Sequence, residues 1–144
     1  MAGTVTVSRT NPYGDGDDKI TVDWISTNAG AASGALNSLY SIAELAKGYP
    51  GTPQPSKSIG FITRILTAPG LNGDLATSLP TAGYDVTVTG PHGSDLAASH
   101  LLDRSGTVAE SYIPTEPIPL NGELTINVTN AGNALKGRII IYIS

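Results

Sequence analysis

The sequence predicts an all-β fold, built either as an antiparallel β-sandwich or as a barrel-like domain. Several segments alternate apolar and polar residues with a period of two, which is typical of strands that bury one face. The 144 residues include 16 Thr and 13 Ser, against 8 Lys and Arg and 12 Asp and Glu, and Thr favours strands. The 17 Gly and 10 Pro residues supply turn formers between these segments. We expect a single β domain over residues 1–144.

Two alternating segments near the start of the chain predict half-buried strands. Residues 4–8 place Val5 and Val7 on one face. Residues 19–24 place three apolar side chains on one face, namely Ile20, Val22 and Trp24. Because Trp24 shares that face with two aliphatic residues, we expect it to lie in the core.

Four later segments predict further strands. Alternation is unbroken over residues 84–89 and 123–129. Residues 58–67 and 138–143 are apolar on both faces, which suits either central strands covered on two sides or edges that meet a partner. The turn signal at residues 130–133 predicts that the last two strands form a hairpin.

Residues 33–58 depart from the strand pattern. Apolar residues at helical spacing predict a short helix over residues 36–47, and they are Leu36, Leu39, Tyr40, Ala43 and Ala46. Because Tyr40 and Ile42 also alternate, a strand stays open as an alternative. Three prolines within six residues then predict an exposed Pro-rich loop over residues 48–58.

The composition argues against several classes of partner. The net charge is -4 and the 8 Lys and Arg residues are scattered, so no basic stripe is available for nucleic acid. The longest apolar run, residues 139–143, is far shorter than the roughly 20 residues that cross a bilayer. Residues 1–3 have neither the charged nor the apolar region of a secretory signal, so we expect synthesis in a cytoplasm. The chain has no cysteine, which excludes thiol chemistry.

The sequence predicts no enzymatic activity, no metal site and no cofactor. Six residues in one stretch offer the groups of a nucleophilic triad, namely His92, Ser94, Asp95, Ser99, His100 and Asp103. They lack the Gly-x-Ser-x-Gly turn that exposes a nucleophile, and the Gly-Pro-His-Gly turn around His92 favours a solvated side chain. The two histidines could meet across a hairpin, but no further zinc ligands follow at a recognisable spacing.

Two binding alternatives stay open in the sequence. Asp15, Asp17 and Asp18 are similar to the start of a calcium loop, but no Glu stands at the twelfth position. A solvated turn is therefore favoured there, and cation binding is left undecided. Exposed tyrosines are suited to stacking on a sugar, so a glycan-binding β module is an alternative function, with the candidates Tyr13, Tyr49 and Tyr112.

Several segments together resemble a family of small structural proteins of tailed bacteriophages. The most specific element is the closing pattern Leu-Thr-Ile-x-Val-x-Asn-Ala-Gly-Asn-x-x-x-Gly, which runs from Leu124 to Gly137. The other matching segments are residues 1–7, 19–24, 30–34, 63–70, 84–89 and 137–143. Relative to that family pattern, residues 35–56 look like an insertion.

The resemblance implies a virion component, in the first place a capsid decoration or cement protein on the outer surface of a phage head. Its partners would be the major capsid protein and further copies of itself, and a capsid symmetry axis would make a trimer natural. A tail or head-to-tail accessory protein is an alternative. We expect assembly contacts on an extended N-terminal arm over residues 1–10, on the Pro-rich loop and on the last strand, at Val5, Val7, Tyr49, Pro50, Pro53, Pro55, Ile139, Ile141 and Ile143.

Overall fold

A computed structural model of the protein describes residues 3–10, 18–27, 29–36, 60–70, 80–90, 92–120 and 123–144. Within these residues the chain forms nine β-strands and no helix, so the all-β prediction is confirmed. In chain order the strands are β1 (Thr4–Thr10), β2 (Asp18–Ile25), β3 (Ala32–Ala35), β4 (Phe61–Pro69), β5 (Asp85–Thr89), β6 (Glu110–Tyr112), β7 (Ile118–Pro119), β8 (Thr125–Thr129) and β9 (Lys136–Ile143).

The strands form two antiparallel sheets, as predicted for a β-sandwich. In the part of the chain that the structure describes, the large sheet has the order β1-β2-β9-β4-β6. The short β7 also pairs with β4, at Phe61 and Ile62, whereas β6 pairs with β4 at residues 65–67. The small sheet has the order β3-β8-β5. Alternate side chains of both sheets enter a shared hydrophobic core, which is how two sheets pack face to face.

The core consists of the inward side chains of the central strands. In the large sheet these are Ile20, Val22, Trp24, Ile139 and Ile141, and in the small sheet they are Val86, Val88, Ile126 and Val128. All of them are at most 1% exposed, and Trp24 is among the largest, which confirms its predicted place. Burying a side chain of this kind contributes roughly 1.5–3 kcal/mol.

The alternating segments predicted from the sequence coincide with β1, β2, β5 and β8, and their ends differ by one or two residues. The expected N-terminal arm is, from Thr4, an edge strand that pairs with β2 along its whole length. The predicted helix and the predicted Pro-rich loop lie outside the described residues, apart from Leu36. Leu36 is buried, and its backbone N–H donates to the carbonyl oxygen of Leu124 at 2.8 Å, which continues the pairing of β3 with β8.

The predicted hairpin between the last two strands is wrong. β8 lies in the small sheet between β3 and β5, whereas β9 lies in the large sheet between β2 and β4. The connection crosses between the sheets, and Asn130, Gly132 and Ala134 adopt positive φ angles of 59°, 90° and 54° within it. β9 is a central strand of the large sheet, paired with β2 on one edge and with β4 on the other.

A β-bulge explains why β4 lacks strict alternation in its sequence. The register of β4 with β9 shifts between Ile62 and Arg64, so Thr63 is the additional residue. The bulge turns both Ile62 and Ile65 into the core, where each is fully buried. The two-faced apolar pattern that the sequence shows here therefore belongs to a central strand.

The indole of Trp24 lies against the backbone of Gly137, its partner across β2 and β9. An ideal Cβ at position 137 would stand 2.8 Å from the indole nitrogen and 2.5 Å from Cε2. Trp24 also packs against Tyr84, with the ring centroids 5.5 Å apart and the planes tilted by 51°. Only a glycine at position 137 leaves room for this ring.

We expect Gly137→Ala to lower the free energy of unfolding by about 2 kcal/mol, because the added methyl group overpacks a core that is already filled. Urea unfolding followed by far-UV circular dichroism measures the change, since Trp24 is the single tryptophan of the chain and is absent from one of the backgrounds compared. Ile140→Val on the outer side of the same strand is the control, with an expected change below about 0.5 kcal/mol. In the Trp24→Phe background the Gly137→Ala change should be smaller. Equal effects in both backgrounds would contradict the contact.

Candidate functional site

The outer surface of the large sheet is the candidate site, and we call it the docking face. In β2, β4 and β9 the side chains that alternate with the core point to this surface. The strand registers align them in rows across the sheet. The docking face consists of Lys19, Thr21, Asp23, Ile25, Arg64, Leu66, Ala68, Lys136, Arg138, Ile140 and Tyr142.

The centre of the docking face is apolar. Ile140 stands between Thr21 of β2 and Leu66 of β4 in one row. Tyr142 follows Ile140 on the same face of β9. These side chains are half-buried by their neighbours in the sheet. An apolar centre with polar groups around it is the usual composition of a protein interface.

Positive charge surrounds this apolar centre. The chain has 8 Lys and Arg residues, and four of them lie on the docking face, namely Lys19, Arg64, Lys136 and Arg138. The acidic residue of the docking face is Asp23. The described residues between positions 80 and 123 carry one cation, Arg104, and six carboxylates, namely Asp85, Asp95, Asp103, Glu110, Glu116 and Glu123. A chain with a net charge of -4 therefore presents a positive face.

Two contacts fix cations of the docking face in place. Arg138 donates two hydrogen bonds to Asp23, with Nε 2.6 Å from Oδ1 and Nη2 3.0 Å from Oδ2. The hydrogen bond to Asp23 raises the pKa of Arg138 above its ordinary value. The guanidinium carbon of Arg64 lies 5.1 Å from the ring centroid of Tyr142, which is a cation–π contact. Ordered side chains lose less conformational entropy when a partner binds.

The predicted assembly residues lie in different environments, and some of them lie outside the described residues. Val5 and Val7 are half-buried on the inner side of the edge strand β1. Tyr49, Pro50, Pro53 and Pro55 lie outside the described residues. The expected contacts at the last strand are corrected, because Ile139 and Ile141 are fully buried and Ile143 is 7% exposed. β9 is a central strand, and these side chains point into the core between the two sheets, where a partner cannot reach them.

The residues considered for nucleophilic chemistry lie in the segment that follows β5. His92 is exposed in the turn after β5, and His100 is exposed and stacked on Tyr112. Asp95 supports the local backbone: Oδ1 accepts from the N–H groups of Val88 and Ala97 at 3.1 Å, and Oδ2 accepts from that of Ser99 at 2.9 Å. Ser94 and Asp103 are also exposed. A carboxylate that satisfies three backbone donors stabilises a turn.

Asp18, the described member of the acidic run, binds Arg9. Arg9 Nε lies 3.0 Å from Oδ1 of Asp18 and Arg9 Nη2 lies 2.8 Å from Oδ2, so both carboxylate oxygens accept from one guanidinium. Asp15 and Asp17 lie outside the described residues. Within the described ranges, no three His, Asp or Glu side chains are grouped so that they could hold a metal ion.

The tyrosine considered for glycan binding has one ring face covered. The ring of His100 stacks on Tyr112 at a centroid distance of 4.8 Å and an angle of 12° between the planes. Tyr112 is half-buried against the core, and Tyr13 and Tyr49 lie outside the described residues. Sugar stacking needs a free aromatic face, so Tyr112 is less suited to it than the sequence indicates.

The outer surface of the small sheet offers hydrogen-bonding groups. Asn127 Nδ2 donates to the hydroxyl oxygens of Thr89 at 2.8 Å and Thr87 at 3.3 Å. A shallow groove of about 370 Å³ lies beside it and is lined by Gly3, Thr27, Ala31, Ala32, Ser33, Asn127, Val128 and Thr129. These lining residues carry no charge. The groove has less to distinguish one partner from another than the docking face has.

A polar cluster lies inside the sandwich around Tyr84, which is fully buried. Burial raises the pKa of Tyr84 to about 12, and a contact with Thr67 and the charge of Arg104 offset only part of that effect. Arg104 Nη2 lies 3.7 Å from Glu110 Oε2, while its Nε and Nη1 atoms are buried without a hydrogen-bond partner in the described part of the chain.

Comparisons of the chain with protein-family models, with curated proteins and with solved structures found no match. In the described ranges, no helix is long and apolar enough to cross a membrane. The assignment of a function therefore depends on the residues and the geometry of this chain.

The sequence carries a signal for the docking face that the prediction of assembly residues did not use. The outward positions of the predicted strands contain Lys19 and Asp23 in β2, and Arg138, Ile140 and Tyr142 in β9. The predicted contacts Ile139, Ile141 and Ile143 lie on the opposite, inward face of β9. Strand alternation alone separates the two sets, but it does not show which strands are neighbours.

The buried Tyr84 hydroxyl gives a prediction about alkaline pH. Its pKa is raised in the folded chain from 10.0 to about 12, so the unfolded chain loses this proton first and stability falls as the pH rises between these values. The wild type loses this stability and Tyr84→Phe does not. We therefore expect the free energy of unfolding of Tyr84→Phe, relative to that of the wild type, to rise by about 2 kcal/mol between pH 9 and pH 11.5.

Urea unfolding of both proteins across this pH range measures the difference. Effects of other alkaline groups cancel because both proteins contain them. Tyr112→Phe is the matched control, because that ring reaches the surface, and it should change little with pH relative to the wild type. A constant difference between Tyr84→Phe and the wild type at all pH values would contradict the prediction.

Proposed function

We propose that this protein is a non-enzymatic virion structural protein, a decoration or cement protein that binds the outer surface of a phage head and stabilises it. The observation that carries the proposal is the docking face, with its apolar centre and its four cations. The resemblance of residues 124–137 to small structural proteins of tailed phages supports the same role. The proposed location is the capsid exterior, after synthesis in the bacterial cytoplasm, and the proposed partners are the major capsid protein and further copies of this chain.

Charge complementarity indicates the kind of surface that the docking face fits. Four cations and one carboxylate give it a net charge of about +3 by formal counting. An acidic patch on a capsid protein would be attracted to this face and repelled by the acidic remainder of the chain. The charge distribution therefore orients the protein before contact as well as holding it afterwards.

Attachment to a capsid does not require high affinity at each contact. A lattice presents many equivalent sites, and an oligomer that engages several of them gains effective concentration for each further contact. A modest apolar centre such as Leu66, Ile140 and Tyr142 is enough under these conditions. Cementing a shell is a binding function that needs no catalytic group.

We expect Lys19→Gln/Arg64→Gln to weaken binding to purified heads by about tenfold or more, because two cations leave the rim of the docking face. Co-sedimentation with heads that lack the protein, at several salt concentrations, measures the affinity. The control is Ser33→Glu/Thr129→Glu on the small sheet, which lowers the net charge by the same two units on exposed positions. It should bind as the wild type does.

Cryo-EM of complete particles provides the localisation. Density of this fold on the head surface, with the docking face toward the capsid, is the expected result. Density on the tail or at the head-to-tail junction would contradict decoration of the head and favour the accessory-protein alternative. Equal binding of the docking-face variant and its control would show that another surface carries the attachment.

A further inference from the structure

The outer edge of β1, which no strand of the described residues pairs with, has features that suit pairing with another strand. β1 pairs with β2 through seven consecutive residue pairs without a bulge, and no other described strand pairs with its second edge. Four exposed hydroxyl residues line its outer surface, namely Thr4, Thr6, Ser8 and Thr10. Natural edge strands are usually protected by charge, proline or a bulge. β1 has no proline or bulge, and Arg9 is its one charged residue.

The inner side of β1 is incompletely covered. Val5 and Val7 face the core but are half-buried, whereas their partners Trp24 and Val22 in β2 are fully buried. β3 approaches closely from the small sheet, since an ideal Cβ on Gly34 would stand 2.6 Å from Val5 Cγ1. A strand added beside β1 would remove the remaining apolar surface of both valines from water.

The charge of Arg9 is neutralised inside the chain. Its side chain is 3% exposed and makes the paired hydrogen bonds to Asp18 at 3.0 and 2.8 Å. Two copies of β1 can therefore approach each other without repulsion between their Arg9 side chains. The exposed side of β1 carries hydroxyl side chains alone, so it can meet the exposed side of an identical segment without like charges. On the inner side, an antiparallel copy centred on Val7 places Val5 opposite Arg9, whose charge is already paired with Asp18.

We propose that two copies of this chain pair through β1, antiparallel, about a two-fold axis at Val7. The large sheets then join into one continuous sheet. In this register Thr6 stands opposite Ser8 of the second copy and Thr4 opposite Thr10, so hydroxyl side chains meet hydroxyl side chains. Val7 meets its own copy on the inner side. The contact is isologous and gives a dimer, whereas the trimer expected from a capsid axis would need a different contact.

Charge-swapped variants of the full chain test this register. Thr6→Lys/Ser8→Lys and Thr6→Glu/Ser8→Glu each place two pairs of like charges across the two-fold axis. The dimer dissociation constant of each variant alone should be about tenfold higher than that of the wild type. An equimolar mixture should recover the dimer, because each Lys then faces a Glu. Sedimentation equilibrium measures the dissociation constants, and Ser94→Lys/Thr115→Lys, on exposed residues elsewhere, is the control with no expected change.

A disulfide provides a second measurement that does not depend on surface charge. The chain has no cysteine, so Val7→Cys introduces one thiol per copy. On the two-fold axis, the two Cα atoms would be about 4.5–5.5 Å apart, within the range that a disulfide spans. Mild oxidation should link Val7→Cys into covalent dimers, and Ser94→Cys should stay unlinked.

Each outcome bears on the proposal. A dimeric wild type, weakened variants, recovery on mixing and linkage at position 7 support it. A monomeric or trimeric wild type overturns it, as does failure of the mixture to recover when thermal unfolding shows that both variants are folded. Linkage of Ser94→Cys at the same rate as Val7→Cys would show non-specific collision and would also overturn it. The proposal does not depend on capsid binding, so failure to bind heads leaves it intact.

Discussion

The contact of Trp24 with Gly137 and Tyr84 determines the arrangement of the two sheets. Trp24 and Gly137 belong to neighbouring strands of the large sheet, and Tyr84 leads into the small sheet. With the indole on the inner side of β2, Asp23 and Ile25 must point outward. Because β9 is in register with β2, the outward positions of β9 follow as well. The docking face is therefore fixed by the same alternation that builds the core.

Strand alternation was a reliable guide where one face is buried and the other is polar. It located β1, β2, β5 and β8, and it placed Trp24 in the core. It did not locate β3, whose residues Ala-Ser-Gly-Ala are too small to show a pattern, or β6 and β7, which have three and two residues. These strands form because neighbours in space offer backbone partners, and that information is not local in the sequence.

Neighbour relations were the main gap in predicting the candidate site. Arg138 and Asp23 bind each other across a separation of 115 residues, and Arg64 meets Tyr142 from another part of the chain. The sequence contains each of these residues at an outward position, but the order of strands decides which of them meet. The wrong hairpin has the same origin, since nearness in sequence favours pairing β8 with β9. In the structure β9 pairs instead with β2 and β4, which come much earlier in the chain.

The central position of β9 also determines when the large sheet can form. β2 and β4 precede it in the chain, and both pair with β9 rather than with each other. Until β9 is inserted, two long strands present unpaired edges, and closing the sheet requires ordering a loop of more than a hundred residues between β2 and β9. Folding of this sheet is thus a late, non-local event during synthesis, and the nascent chain is exposed to misassembly up to that point.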